Sequence, residues 1–436
     1  MSWWRAKPPM LVSKKAMTMP PCKGTALFEI MQYGVHQILT MVSFRISRMN
    51  RCDMFLAAWV LYYLQGIVYP EGGAISIILL GLTLLVSANC AIKVLQWRNT
   101  PVYFKGFNML ILLFTVYGFA LIVSSPSTLY YPLSGMKMPS YNYIKSIYLS
   151  LLPIYPFYYY TKKGYLTAER LRIWGLIFLA SVTMSYFRMQ REALAQLVEE
   201  GSSVEEVTNN TGYLFLSILP MLVIYRKKPL LQFASFAFVM AFLIIGMKRG
   251  AIIIGAISAI YYMWRVIKSS RGNTRFLFIF LSVAICGGVV YFFIHEMATS
   301  DYMQQRLEST MEGNSSGRDN LYSFFWHYFT DEADVLHYLI GRGANGTLEI
   351  YYNYAHNDWL EIAVNQGVLG LVVYAFYFLE FYKTWKCATN TDAKTILALM
   401  LFIFFAMTLF SMSYADMTYV ATAPFGYALA TINKPN

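Results

Sequence analysis

Long apolar runs recur along almost the whole chain, each close to the length a helix needs to cross a bilayer and each followed by a short polar break. Read as helices, they predict about twelve transmembrane spans. These fall at 54–69, 74–92, 107–125, 141–160, 171–187, 211–225, 229–247, 250–267, 275–295, 357–382, 395–413 and 415–432. One connection breaks the rhythm, a long polar stretch over 297–355 between the ninth and tenth spans. A connection of that length marks a functional element more often than a plain link. The predicted fold is therefore an all-α polytopic membrane protein in four parts. An N-terminal segment (1–50) precedes nine spans (51–296), one large loop (297–355) and three final spans (356–436).

Composition agrees: 57% of the 436 residues are hydrophobic and 13% are charged, against roughly 25% charged in soluble domains. The net charge of +12 would suggest nucleic acid in a soluble protein. Here the basic residues sit in short clusters between apolar runs and read as topology signals. Arg45, Arg48 and Arg51 precede the first span, and Arg98 and Lys105 follow the second. Lys162, Lys163, Arg170 and Arg172 follow the fourth, and Arg226, Lys227 and Lys228 the sixth. Arg265, Lys268, Arg271 and Arg275 follow the eighth, and Lys383, Lys386 and Lys394 the tenth, with Lys434 near the end of the chain. Every second connection is basic, so one topology satisfies all of them: both termini cytoplasmic and 297–355 outside. Residues 1–25, rich in Pro and Lys, lack the apolar core of a cleavable signal peptide. Leu27–Ile46 reads as an interfacial helix. The five cysteines have no metal-ligand spacing, and none falls in an outer loop, which argues against a disulfide framework or a zinc site.

Basic residues on the outer side run against the topology bias and need a local reason. Arg249 stands out, because Gly246-Met-Lys-Arg-Gly250 is a very short link between two apolar helices. An arginine at a membrane surface is costly unless paired, which makes it a functional-site candidate beside Lys248. The large loop carries Ser316-Gly-Arg318 and an amphipathic run over 321–329. A glycine-rich turn, Ile340-Gly-Arg342-Gly-Ala-Asn-Gly346, follows, and its amides could approach an anion. His356, Asn357, Asp358 and Glu361 then cluster at the mouth of the tenth span. Asn357 or Asp358 could simply cap that helix, but a cap does not call for His356. Gly367 and Gly370 in the same span suit close approach of another helix. No ATP is available outside the membrane, so chemistry there needs an activated substrate. Arginines beside a histidine suit a lipid diphosphate: guanidinium binds phosphate oxygens bidentately, and imidazole accepts a proton from an attacking hydroxyl.

Taken in order, three motifs resemble the O-antigen ligase and O-antigen polymerase superfamily of bacterial polysaccharide assembly. They are Lys248-Arg-Gly-Ala251; Ser316-Gly-Arg318 with Trp326 and Gly341-Arg-Gly343; and His356-Asn-Asp-Trp-Leu360 with Gly367 and Gly370. The resemblance implies a bacterial inner-membrane enzyme acting on the periplasmic side without a metal or other cofactor. It would move a glycan from an undecaprenyl-diphosphate donor to a hydroxyl of an acceptor glycan, either a lipid-linked repeat unit or lipid A–core. It also implies that Arg249 and Arg318 hold the diphosphate while His356 assists the hydroxyl, with Lys248, Arg342, Asn357 and Glu361 as further substrate contacts. Lys248 stands where the family often has a small hydroxyl residue, and Asn365 where it often has Glu. Nothing specifies a lipid A–core acceptor, which tilts the reading slightly to polymerase. The main alternative is a flippase or transporter of lipid-linked glycans, which should show repeat symmetry and mid-membrane charges. A metal-dependent transferase is the third reading, with Asp331-Glu-Ala-Asp334 as its only acidic candidate.

Overall fold

The computed structural model describes residues 51–199, 211–246, 248–299, 308, 318–410 and 418–434; the helix expected at Leu27–Ile46 lies outside them. The described chain is almost wholly helical. The helices in order are α1 (Arg51–Tyr63), α2 (Ala74–Leu95), α3 (Tyr103–Ser124), α4 (Asn142–Leu151), α5 (Ile154–Lys162) and α6 (Ala168–Glu199). Next come α7 (Gly212–Ile218), a 3₁₀ stretch (Leu219–Lys227), α8 (Pro229–Ile245), α9 (Arg249–Ser269) and α10 (Asn273–Thr299). The region of the large loop holds α11 (Arg318–His327), a π turn (Tyr328–Glu332), α12 (Val335–Ile340) and α13 (Gly346–Ile350). The chain closes with α14 (Asp358–Cys387), α15 (Thr391–Phe410) and α16 (Thr418–Thr431). Among the described residues one hairpin, β1 (Thr128–Tyr131) with β2 (Met136–Pro139), pairs antiparallel with Thr128 opposite Pro139.

Among the described residues, five helices are long and apolar enough to cross a membrane: α2, α3, α9, α14 and α15. Of the other expected spans, 171–187 and 275–295 lie within the long helices α6 and α10, and the rest meet shorter or broken helices. The single span expected at 141–160 is two helices, because Pro153 has no amide to donate and Pro156 follows it. The span expected at 211–225 turns from α helix to 3₁₀ one residue before Pro220. The first span ends as a helix at Tyr63, not 69.

Apolar side chains face outward along the long helices, with Leu85 on α2 and Leu112 and Val123 on α3 well exposed. That is the surface of a protein whose surroundings are lipid. Inside, aromatic rings interlock. Tyr103 lies among Phe107, Tyr377, Phe381 and Phe425. α3 runs antiparallel to α14: Tyr103 N donates to Thr384 Oγ1 at 2.9 Å, and a Cβ on Gly106 would fall 2.8 Å from Tyr377 Cα. This close pair frames the site.

α14 is broken at Gly367, whose φ of +64° with ψ of −159° is open to little but glycine. Carbonyls beside such a break need other donors, because the membrane interior offers no water. Those of Val364 and Asn365 accept from Arg342 N and Gly343 N, each at 2.9 Å. A Cβ on Gly367 would sit 2.6 Å from Gly341 N, and one on Gly341 would overlap the backbone of Asn365 and Gln366. Gly367 receives the end of α12, with the backbone of Leu339 and Ile340 within 2.7 Å of a Cβ there. One expectation changes: two amides of the glycine-rich turn serve α14 rather than an anion.

Candidate active site

Asn357 begins the site by capping α14. Its Oδ1 accepts from Trp359 N and Leu360 N at 3.0 and 3.2 Å, and its Nδ2 donates to Leu409 O at 3.3 Å. Asp358 is fully buried and accepts from Tyr374 OH at 2.7 Å. Glu361 is also fully buried. Its carboxylate accepts from Thr347 Oγ1 (2.5 Å), Ala355 N (2.8 Å) and Asn365 Nδ2 (2.9 Å), so both oxygens face protein donors. Asn365 reaches back through Oδ1 to Thr347 N at 3.0 Å. This network pins the chain one residue before His356.

His356 takes the left-handed conformation, φ +51°, which is uncommon outside glycine and strained. Its carbonyl accepts from Tyr322 OH at 3.2 Å, and the same hydroxyl lies 3.3 Å from Leu409 O. Tyr322 stands four residues after Arg318 on α11, so the two share a helix face, and the Arg318 guanidinium lies against the Tyr322 phenol. Leu321, Phe325 and Tyr328 meanwhile pack with Ala355 and Val364, which seats α11 on the start of α14. Lys248 caps α9 beside Gly212.

The result is a half-buried imidazole in a positive field. Burial, and then the charges of Arg318 and Lys248, push the His356 pKa below its ordinary value. A depressed imidazole pKa favours the neutral ring, the form that accepts a proton. If the ring acts as a base, kcat/KM should hold as pH falls through about 6.5, the usual histidine value, and drop only below it. A bound diphosphate would offset the two cations, so the acid limb of kcat should lie higher than that of kcat/KM. Paired pH profiles of a reconstituted enzyme check both signs.

Of the expected site residues, Lys248 and Arg318 are thus each brought within electrostatic reach of His356. Arg249 opens α9 next to Lys248, and its side chain lies outside the described residues. Ser316 and Gly317 also lie outside them. Arg342 has other partners. Its Nη1 donates to Tyr328 OH at 2.8 Å, its guanidinium lies over that ring, and Nε is 3.6 Å from the Glu349 carboxylate. Asp331 and Asp334 pair with His327 and His337, each at 2.6 Å, and Asp334 also caps α12. The sequence reading overlooked Tyr322 and Thr347. The i,i+4 spacing of Arg318 and Tyr322 was the available signal; nothing local marked Thr347.

Fold and site together define a membrane protein whose polar cluster sits at the mouth of a broken apolar helix. Residues 233–375, about a third of the chain, match the family model described as O-antigen ligase. The match runs from α8 into α14 and contains all the residues singled out above from Lys248 to Glu361. That match supports the O-antigen ligase and polymerase superfamily for this part of the chain and suggests a glycosyl-transferring enzyme of polysaccharide assembly. Comparison with curated proteins gives no match.

Proposed function

We propose that this protein transfers a glycan from an undecaprenyl-diphosphate carrier to an acceptor sugar hydroxyl at the periplasmic face of the bacterial inner membrane, as an O-antigen or capsular polymerase or an O-antigen ligase. The reading rests on one observation above all: a neutral-favouring His356 held at a helix mouth with Arg318 and Lys248 bearing on it. In this reading both termini are cytoplasmic, the chain crosses the bilayer about twelve times, and 297–355 is periplasmic. Arg318, Arg249 and Lys248 hold the diphosphate and balance the charge that grows as it departs. The acceptor oxygen attacks the anomeric carbon, and its proton passes to a His356 ring nitrogen. The sugar–diphosphate C–O bond breaks, and its electron pair leaves with the diphosphate. A sugar hydroxyl is too weak an acid to ionise beforehand, so the proton moves as the new bond forms. Glu361 and Asn357 act as positioning residues, holding the backbone on either side of His356.

The test is deletion of the protein followed by glycan gel analysis. A single capped repeat unit left on core supports a polymerase, and long chains left on the undecaprenyl carrier support a ligase. A wild-type glycan pattern ends the proposal. Transfer should also persist in chelator; loss that added metal restores would favour a metal-dependent mechanism.

A further inference from the structure

α12, Val335-Leu-His-Tyr-Leu-Ile340, buries none of its side chains. Val335 is 77% and Leu336 62% exposed, and Leu339 and Ile340 are also open. Such a helix on an aqueous loop would leave a contiguous apolar surface in water. Its depth resolves the difficulty. Tyr117 OH donates to Ile340 O, and Tyr117 stands seven residues, about 10 Å at 1.5 Å per residue, from the end of α3 at Ser124. On the other side Gly341 abuts Asn365 and Gln366, again about 10 Å along α14 from its start at Asp358. α3 has 22 residues, about 33 Å, roughly the thickness of a bilayer core. Two antiparallel helices thus agree on how far the tip lies below their common end. The six residues of α12 rise about 9 Å, enough to cover that descent.

We propose that residues 334–343 form a re-entrant segment that dips into the leaflet at the candidate active site, with Val335, Leu336, Leu339 and Ile340 facing lipid acyl chains. Non-helical backbone at such a depth needs internal partners. It has them: Arg342 N and Gly343 N bond to Val364 O and Asn365 O, and Ile340 O to Tyr117. Several side chains of the segment have neighbours of their own. His337 pairs with Asp334 at 2.6 Å, Tyr338 stacks on Phe329 at 4.9 Å, and Arg342 reaches Tyr328. The glycines at 341 and 367 follow from this, because two backbones must touch at the tip.

The experiment is spin labelling of the full chain in lipid nanodiscs, with all five cysteines replaced by serine. Labels go at Leu336→Cys, at Leu112→Cys on the lipid-facing side of α3, and at Thr330→Cys on the exposed π turn. Leu336 should collide with oxygen more readily than Thr330 and be better shielded from a water-soluble nickel chelate, with Leu112, deeper by its place on α3, marking the mid-bilayer limit. Nickel collisions at the level of Thr330 would overturn the proposal. Val335→Cys provides the same readout if Leu336→Cys does not fold. The measurement needs no substrate, so its outcome is separate from that of the glycan-transfer reading.

Discussion

His356→Ala should cut glycan transfer by about 10²- to 10⁴-fold, the usual contribution of a positioned proton acceptor, while the amount of protein inserted in the membrane stays the same. The structural cost is small because the ring is only half-buried, and Tyr322 bonds the residue's carbonyl, which alanine retains. The backbone is the sharper concern, since φ is +51°. Asparagine tolerates that region better than alanine, so His356→Asn keeps the turn and still removes the base. Both variants should be inactive in a deletion strain. Full complementation by either one removes the histidine from the mechanism.

Arg318→Ala should lower transfer by about 10²- to 10³-fold, comparable to removing one preorganised donor from a developing negative charge. Arg318→Lys should recover only part of that, because an ammonium cannot grip a diphosphate through a planar fork. The change has a second signature that simple loss of folding would not produce. Arg318 is one of two cations that hold the His356 pKa down, so its removal should move the acid limb of kcat/KM upward, toward the ordinary histidine value. Purified variants assayed across pH separate the two effects. An unchanged rate, or a rate loss with an unmoved acid limb, would detach Arg318 from the site.

Much of this was legible one residue at a time. The long apolar runs carried the helical character, and the order of basic, arginine and histidine motifs carried the family, since each depends only on local composition or spacing. The cap at Asn357 was legible too, as a polar residue just before an apolar run. Glu361 shows the limit. As a carboxylate beside a histidine it reads as a substrate contact, yet its three partners include Thr347, which reaches it only through the fold of α13 onto α14. The breaks at Pro153 and Gly367 were visible as residues. Whether each would end, kink or merely punctuate a helix depended on what lay opposite.

By itself, then, the sequence determined that this is a helical membrane protein, and which cations and which histidine are candidates for its chemistry, because hydropathy and charge act over a few turns of one helix. Tertiary structure alone decided that Lys248 and Arg318 bear on His356, that Arg342 turns to Tyr328 and Glu349, and that the glycine-rich turn mends the break in α14. Those outcomes are set by which backbone donors and which charges come together from distant segments in a medium that leaves neither unpaired, and no local pattern encodes that.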